Sequence, residues 1–375
     1  MLTDGLRPSW RPSRRRRHAL AALVLVLAVA AAVAAGCGGD AAPAPEPGPE
    51  PSPGAFVREP YLTRVGETSA RLRWIARGDA PVRIEAVAGD GPPVVAREGV
   101  LTGLRPDTRY RWTASVDGAE ASEGTLTTAP TTLEGPLELL AFGDYGAPND
   151  DFRAVAALAA SLQPRLLVTA GDNAYLVALP QLLDDQIFRP LRGVLAHAPN
   201  YGVVGDHDIV FRSGRRALVG AFEWPGGGGR YDLRYGPVQV VGLGLRGDEA
   251  DVAFARRALA RPGPLARLVT VHQPIQAGNP LLEVIAAADV TAVLAGHLHA
   301  YERRVRPEAP GVPFLTVGTG GAPRNDDRTP RSDDAVVHLA EFGLLRVRLQ
   351  AERATYECLD VSGGVRDRLT APLVP

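Results

Sequence analysis

The stretch GHLHAYER at residues 296–303 decides how the C-terminal two-thirds of the chain is interpreted. It follows the apolar run 291–295, which has the length and composition of a buried strand. His297 and His299 stand at alternate positions directly after this strand, so their side chains should point the same way. A single histidine is most often a core residue, but two in this arrangement are typical of metal ligands. We therefore predict that His297 and His299 bind metal.

Four more apolar runs in the preceding sequence also end at polar clusters. The runs and the clusters that follow them are 137–142 with GDYG, 166–170 with GDNAY, 201–204 with GDHD, and 268–271 with HQP. A helix-length amphipathic run at 151–162, with Asn149 or Asp150 as its N-cap, separates the first two. This alternation predicts an α/β domain, in which the carboxyl ends of the strands carry the site. The polar residues at these ends are Asp144, Asp172, Asn173, Tyr175, Asp206, His207, Asp208, His272, His297 and His299.

The chemistry of these residues predicts a centre of two metal ions. Carboxylates, imidazoles and a phenol suit iron, zinc and manganese, and their number exceeds what one ion needs. Two ions held about 3.5–4 Å apart acidify a water between them and hold the oxygens of a phosphoryl group. Glycines before several of the polar residues allow the chain to turn sharply off each strand.

The ordered series GDYG, GDNAY, GDHD, HQP and GHLHAYER resembles the calcineurin-like metallophosphoesterases, and among them the purple acid phosphatases. The resemblance covers most of the chain, because EPYL and TGLRPDTRY also match the N-terminal domain of many members. It implies an α/β fold, an α+β four-layer metallophosphoesterase sandwich, over residues 136–375. It also implies metal-dependent hydrolysis of phosphate esters, with acid phosphatase activity on phosphomonoesters as the leading expectation.

The resemblance also implies a role for each site residue. One metal would be bound by Asp144, Asp172, Tyr175 and His299, and the other by Asp172, Asp206, His272 and His297, with Asp172 as the bridge. The first is expected to be Fe(III), coloured purple by a Tyr175 phenolate, and the second zinc, manganese or Fe(II). His207 resembles the residue that contacts phosphate and helps to protonate the leaving group. The residues expected to support the centre or contact substrate are Asn173, Asp208, Tyr301 and Arg303.

Two departures from the family pattern affect substrate choice. Asp206 stands where the family usually has Asn, and an ionised Asp206 would tighten cation binding while weakening the attraction for a phosphate dianion. This would favour monoanionic diesters or a lower pH; alternatively, Asp206 stays protonated or simply replaces Asn as an oxygen ligand. After His272, plant-like members carry further histidines for substrate, whereas this chain has Leu281 and Leu282.

The N-terminus carries the features of an export signal. Arginines at 14–17 precede the apolar stretch 19–35, which ends at Gly36 and Cys37. Residues 34–37 resemble a lipobox, so residues 1–36 are predicted to be a signal peptide and Cys37 to be lipidated. The protein is then expected to be anchored to the membrane surface of the cell envelope, or secreted if Cys37 is not acylated. The alternative is a membrane helix that is not cleaved.

Two further segments precede the α/β domain. Residues 37–55 are rich in proline and predict an extended tether. Residues 56–130 contain short alternating strands and the spacing L-x-P-x-T-x-Y, in which the Tyr110 hydroxyl can bond to upstream backbone. They resemble a fibronectin type III domain. The only other cysteine, Cys358, is expected to be free or buried and inert.

Composition bounds the possible partners. The chain has 375 residues, a hydrophobic fraction of 45% and a formal net charge of −1, which does not favour nucleic acid as a partner. The expected partners are a small phosphate-ester substrate and, through the lipid, a membrane. Phosphodiesters, including cyclic nucleotides, are the closest alternative substrates, and lipid or wall polymers a more distant one. The alternative that is not an enzyme is an inactive surface lipoprotein that acts as a binding protein. The glycine run 226–229 favours a hairpin turn over a phosphate-binding loop.

Overall fold

The computed structural model describes residues 54–324 and 331–373. These residues belong to one compact unit, Pro53–Pro375. The predicted signal peptide, the lipidation residue Cys37 and nearly all of the tether lie outside the described residues. None of the helices within the described ranges is both long enough and apolar enough to cross a membrane.

The first part of the described chain is built only from antiparallel strands. The strands are β1 (Phe56–Val65), β2 (Ser69–Ala76), β3 (Val82–Val87), β4 (Val94–Val95), β5 (Val100–Thr102), β6 (Arg109–Val116) and β7 (Ala119–Thr127). One sheet has the order β1-β2-β5 and the other β4-β3-β6-β7. Alternate residues such as Leu72, Ile84 and Trp112 are buried, as period-2 patterning predicts. The Tyr110 hydroxyl accepts a hydrogen bond from the Arg105 N–H at 2.8 Å, while the fibronectin type III assignment stays a prediction.

The rest of the chain contains two larger sheets. Their strands are β8 (Leu137–Phe142), β9 (Leu166–Thr169), β10 (Tyr231–Tyr235), β11 (Val238–Gly242), β12 (Ala266–Val271), β13 (Ala292–Ala295), β14 (Tyr301–Arg304), β15 (Phe314–Val317), β16 (Ala335–Leu339), β17 (Gly343–Gln350), β18 (Arg353–Asp360) and β19 (Val365–Pro372). One sheet has the order β19-β18-β17-β8-β9, and the other β10-β11-β12-β13-β15-β14-β16. The last three strands, β17, β18 and β19, therefore complete the five-stranded sheet.

Helices cover the outer faces of both sheets. They are α1 (Asp150–Leu162), the π-helical turn Asp184–Phe188, α2 (Arg192–Leu195), α3 (Arg212–Phe222), the 3-10 turn Pro225–Gly228, α4 (Glu249–Leu259) and α5 (Leu281–Ala286). The first predicted cap is present, because the Asn149 side chain accepts a hydrogen bond from the Phe152 N–H at 2.9 Å.

Burial shows how the layers stack. One core cluster joins inward side chains of both sheets, such as Leu139 and Val240. A second cluster packs α1, α2 and α3 on the outer face of the five-stranded sheet, and a third packs α4 and α5 on the seven-stranded sheet. The order helix, sheet, sheet, helix is the four-layer sandwich that the family resemblance implies.

Two details of the sequence interpretation differ from the structure. Residues 201–204 do not form a regular strand; they run beside β9, where the Tyr201 N–H bonds to the Leu167 carbonyl at 2.9 Å. The glycine run forms the 3-10 turn before β10 instead of a hairpin turn, because Pro225 opens a helical turn.

The N-terminal sheets are attached to the α/β part by specific contacts. Trp112 Nε1 donates to the Ala196 carbonyl at 3.0 Å, and the Tyr61 hydroxyl donates to the Ala221 carbonyl at 2.8 Å. Arg58 pairs with Asp184 and lies over the Phe188 ring, with its guanidinium carbon 3.7 Å from the ring centre. These buried polar contacts fix the two parts to each other.

Candidate metal centre

The carboxyl ends of two pairs of strands meet at one edge of the sandwich. Asp144 and Asp172 follow β8 and β9 in one sheet, and His272 and His297 follow β12 and β13 in the other. The His272 Nδ1 donates to the carbonyl of Ala170 at 2.9 Å, and the His297 N–H donates to Asp144 Oδ2 at 2.7 Å. The two sheets are therefore joined directly at the ends that carry the motif residues.

The four residues expected at the first metal site lie together. The Tyr175 hydroxyl is 2.9 Å from Asp172 Oδ2, 3.2 Å from Asp144 Oδ1 and 3.0 Å from His299 Nε2. His299 Nε2 lies 3.4 Å from Asp144 Oδ1. Two carboxylates, one phenol and one imidazole thus converge on a single small volume, as a metal ion requires.

The four residues expected at the second site lie next to the first group. Asp206 Oδ1 is 2.9 Å from His272 Nε2 and 3.0 Å from His297 Nδ1. His272 Nε2 is also 3.5 Å from Asp172 Oδ2, the oxygen that faces Tyr175. Asp172 is therefore the residue shared by both groups, which is the position expected for a bridging carboxylate.

Two imidazole rings are held in a ligand-ready orientation. His272 and His299 donate their Nδ1–H groups to the carbonyl oxygens of Ala170, at 2.9 Å, and Pro323, at 2.6 Å. A hydrogen bond at one ring nitrogen fixes the tautomer and leaves the other nitrogen free to bind metal. Both Nε2 atoms face the carboxylates.

The backbone at three site residues is unusual. Asp144, Asp172 and His297 have positive φ angles of 57°, 49° and 70°, a region that L residues rarely occupy. Such strain persists where the surrounding structure holds it, and it occurs often at functional sites. At Gly205, an added Cβ would lie 2.1 Å from Asp172 Oδ1, so only glycine fits there.

Charge in the cluster is consistent with cation binding. Although burial acts to raise it, hydrogen bonds from His272 and His297 hold the pKa of Asp206 well below its usual range. Burial acts to lower the pKa of His272, but hydrogen bonds with Asp172 and Asp206 raise it well above its usual value. Asp206 is therefore ionised in this arrangement. A metal ion would replace the imidazole protons as the positive charge facing these carboxylates.

Comparison with solved structures shows which proteins have a similar fold. A purple acid phosphatase, PPD1 from yellow lupin seeds, matches with a TM-score of 0.68 and 14% identity over 83% of this chain and 73% of that one. A structure of PhoD matches with a TM-score of 0.59 and 11% identity over 87% and 90%. GAP50, the anchor in the inner membrane complex of Plasmodium, matches with a TM-score of 0.52 and 13% identity over 64% and 90%.

This chain has a purple acid phosphatase-like metallophosphoesterase fold. The fold predicted from the motifs is thereby confirmed. No family model matches the chain, and no curated protein matches it in sequence. At 11–14% identity the likeness concerns the fold, so the assignment of individual ligands stays a prediction.

Asn173 and Asp208 brace the loops of this metallophosphoesterase fold. Both are completely buried. Asp208 accepts hydrogen bonds from the backbone N–H groups of Asn173, Ala174 and Gly205, and from the Asn173 side chain. Burial, together with the nearby Asp172 carboxylate, raises the pKa of Asp208 to about 7. The pair connects the GDNAY loop to the GDHD loop, so it positions Asp172 and Asp206.

His207 lies at the entrance to the centre and is partly exposed. Its Nδ1 donates to the Leu176 carbonyl at 2.6 Å, and its ring lies 4.4 Å from the Tyr175 ring. Its backbone N–H donates to Asp172 Oδ1 at 2.8 Å. The side chain is therefore fixed beside the cluster, with its Nε2 atom left for other contacts.

The structure places Tyr301 and Arg303 at a different location. The Tyr301 hydroxyl and Arg303 Nε both donate to Asp367 Oδ2 at 2.9 Å. Asp367 belongs to β19, so these two residues join the sheets to each other. The contacts of Tyr301 and Arg303 are with Asp367 and not with the expected metal ligands, so these contacts do not support a role at the substrate.

Sequence reasoning missed two features beside the centre. A cavity of about 620 Å³ adjoins His297, and the polar residues that line it include Gln273, Gln276, Arg304, Arg306 and Arg331. On the side of His207, the exposed apolar residues are Leu176, Ile209, Val210 and Phe211. The run of three apolar residues after GDHD was visible in the sequence, but its exposure was not.

Proposed function

We propose that this protein is a metallophosphoesterase that hydrolyses phosphate esters at a centre of two metal ions, with phosphomonoesters as its main substrates. The observation that carries this proposal is the convergence of seven side chains in two adjoining groups that share the carboxylate of Asp172. The fold supports it, because a purple acid phosphatase and PhoD have the same fold. The inactive-lipoprotein alternative is disfavoured, because every expected ligand position carries a side chain able to bind metal.

The donor set indicates which residues would hold the ions. Asp144, Tyr175 and His299 would hold the first, Asp206, His272 and His297 the second, and Asp172 both. Bound ions would supply positive charge that acidifies a water and offsets the charge of the phosphoryl oxygens. Fe(III) in the Tyr175 site, and zinc, manganese or Fe(II) in the other, are proposed from the family resemblance.

His207 is suited to protonate the leaving group. Its Nδ1 proton is held by the Leu176 carbonyl, so Nε2 is the nitrogen able to give a proton to the departing oxygen. Its contact with the Tyr175 ring fixes the plane of the imidazole next to the expected phosphate position. An imidazole is well suited to this role because its ordinary pKa lies near neutrality.

Phosphodiesters, including cyclic nucleotides, are the second candidate substrates. The ionised Asp206 adds negative charge where Asn is usual, which disfavours a dianion relative to a monoanion. The cavity beside His297 offers space for a second substituent on the phosphorus. These observations favour diester activity in addition to monoester activity, particularly near neutral pH.

Export and lipid anchoring at Cys37 complete the proposal. They rest on the arginines at 14–17, the apolar stretch 19–35 and the lipobox-like residues 34–37. Metabolic labelling with a radioactive fatty acid, compared between the native chain and Cys37→Ser, tests this step. Label retained by the variant would contradict it.

The activity is tested by metal analysis combined with spectroscopy. The mature protein should contain two metals per chain, absorb in the visible range and hydrolyse aryl phosphate mono- and diesters. Tyr175→Phe should remove the visible band, since the phenolate is its source. Tyr145→Phe is the matched control, because the Tyr145 hydroxyl is buried on Asn173 and does not belong to the expected ligands. Colourless, inactive protein after supply of iron, zinc and manganese would refute the proposal.

A further inference from the structure

An apolar surface adjoins the candidate proton donor. Leu176, Ile209, Val210 and Phe211 are 59%, 39%, 55% and 43% exposed. Three of them are consecutive. A run of exposed apolar residues lowers the solubility of a protein and is an error of surface design unless it has a function. We call these four residues the apolar rim.

The Leu176 side of the rim is held rigidly. The Leu176 carbonyl accepts the hydrogen bond of His207 Nδ1 at 2.6 Å. On either side of Leu176, buried Gln186 donates its amide to the Tyr175 carbonyl at 2.5 Å and to the Val177 carbonyl at 3.3 Å. These hydrogen bonds fix the backbone at Leu176, so its side chain is held in the exposed position.

The other side of the rim is attached to the first. Phe211 is the cap residue of α3, and Gly214 in the first turn of that helix is packed against Ala178. A Cβ at Gly214 would lie 1.7 Å from the Ala178 carbonyl oxygen, so the two backbones touch. Leu176 and Phe211 thus belong to two segments that are in contact. His207 is hydrogen-bonded to the segment of Leu176 and lies in the same stretch of chain as Phe211.

We propose that the apolar rim binds the leaving group of the substrate, so that the preferred phosphate esters carry an alkyl or aryl group. This inference rests on the proposed function, in which His207 protonates the departing oxygen. The group attached to that oxygen must lie beside His207, and the rim residues are the apolar side chains that flank it there. The other side of the centre differs, because charged side chains, among them Arg304, Arg306 and Asp334, line the cavity beside His297.

The physical size of the effect follows from apolar burial. Each fully buried methylene contributes about 0.8 kcal/mol, which corresponds to a factor of about four in affinity or in kcat/KM. Because the rim covers only one side of a bound chain, we expect about twofold per methylene. From ethyl to hexyl phosphate, kcat/KM should then rise by roughly 16-fold.

The test uses two parallel series. The metal-loaded mature protein is assayed with ethyl, butyl and hexyl phosphate. Binding of ethyl-, butyl- and hexylphosphonate is measured by calorimetry, which needs no turnover because the carbon–phosphorus bond is not cleaved. Leu176→Ser and Val210→Ser should each reduce the hexyl-to-ethyl ratio several-fold in both series. Val95→Ser, at an exposed valine in β4, is the matched control and should leave both ratios unchanged.

The outcomes separate this inference from the function on which it rests. Hydrolysis of all three esters with a flat ratio in both series would overturn the rim proposal and leave the phosphoesterase intact. Failure to cleave any ester would overturn the proposed function, while the phosphonate series would still report on the rim. If the rim variants lose binding to anionic lipid vesicles and keep the wild-type ratios, the surface is a membrane contact and the inference is wrong.

Discussion

Asp208→Ala should both destabilise the protein and release metal. Asp208 is completely buried and is the acceptor for backbone N–H groups of Asn173, Ala174 and Gly205, at 2.9, 3.2 and 2.8 Å. These bonds join the loop that carries Asp172 to the loop that carries Asp206. Their loss therefore affects the positions of two expected ligands as well as the free energy of unfolding.

The magnitude follows from the number of donors left without a partner. A buried polar group that loses its only partner costs about 1–3 kcal/mol. Three backbone donors give about 3–9 kcal/mol, and a water entering the space of the carboxylate reduces this. We therefore expect a loss of about 3–5 kcal/mol in the free energy of unfolding.

The assay combines denaturant unfolding of metal-free protein with metal titration. Chelator keeps metal binding from contributing to the measured stability. Asp251→Ala is the matched control: Asp251 is also completely buried and accepts the N–H groups of Gly244 and Asp248 at 2.8 and 3.0 Å, but it caps α4. The control should lose stability and keep both metals. The Asp208 variant should bind fewer than two. Unchanged metal affinity in Asp208→Ala would refute the argument that this carboxylate positions the ligands.

Three further predictions concern single side chains. Asp206→Asn should raise the ratio of monoester to diester hydrolysis rates near neutral pH by about fivefold. The reason is that removing one negative charge from the site changes the binding energy of one additional phosphate charge by ~1 kcal/mol. An unchanged ratio of initial rates would refute this. Burial raises the pKa of the Cys358 thiol to about 12, so alkylation at pH 8 should be very slow until denaturant is added, and rapid native labelling would contradict the buried position. Burial is the main cause that lowers the pKa of His197, and the positive charge of Arg109 lowers it further; the Nδ1 atom of His197 accepts a hydrogen bond from the Thr125 N–H. The contribution of neutral His197 to the free energy of unfolding should be complete above about pH 6.5 and should decrease as the pH falls through the lower pKa of the folded state. His197→Gln should therefore flatten the plot of unfolding free energy against pH between about pH 7 and 5. Parallel plots for the variant and the native protein would exclude the effect.

The expected ligands could be found in the sequence because their signal is local. Asp144, Asp172, His272 and His297 each follow an apolar run of strand length, and the strand-end turns place them one to three positions after the last strand residue. The extended segment before Asp206 was predicted as a strand on the same pattern. It pairs only partly with β9, so the pattern predicted the position of the motif correctly and the regularity of the strand wrongly.

The sequence was less informative for residues whose role depends on distant partners. From the family resemblance of GHLHAYER, Tyr301 and Arg303 were expected to support the centre or contact substrate. In the structure β14 pairs with β15 and β16, and this register directs both residues to Asp367, which lies more than 60 positions later. A pairing over such a separation leaves no mark in local periodicity.

The amino-acid sequence by itself determined the identity and order of the candidate ligands, a helix start at Asn149 or Asp150 and the α/β character of the C-terminal domain. These depend on side-chain chemistry and on periods of 2 and 3.6 residues, which are properties of short segments. Only the tertiary structure decided that β8 and β9 lie in one sheet and β12 and β13 in the other, that Asp208 joins two loops, and that an apolar rim flanks His207. Those features arise from packing between segments far apart in the chain, because exposure and strand order depend on which surfaces cover each other.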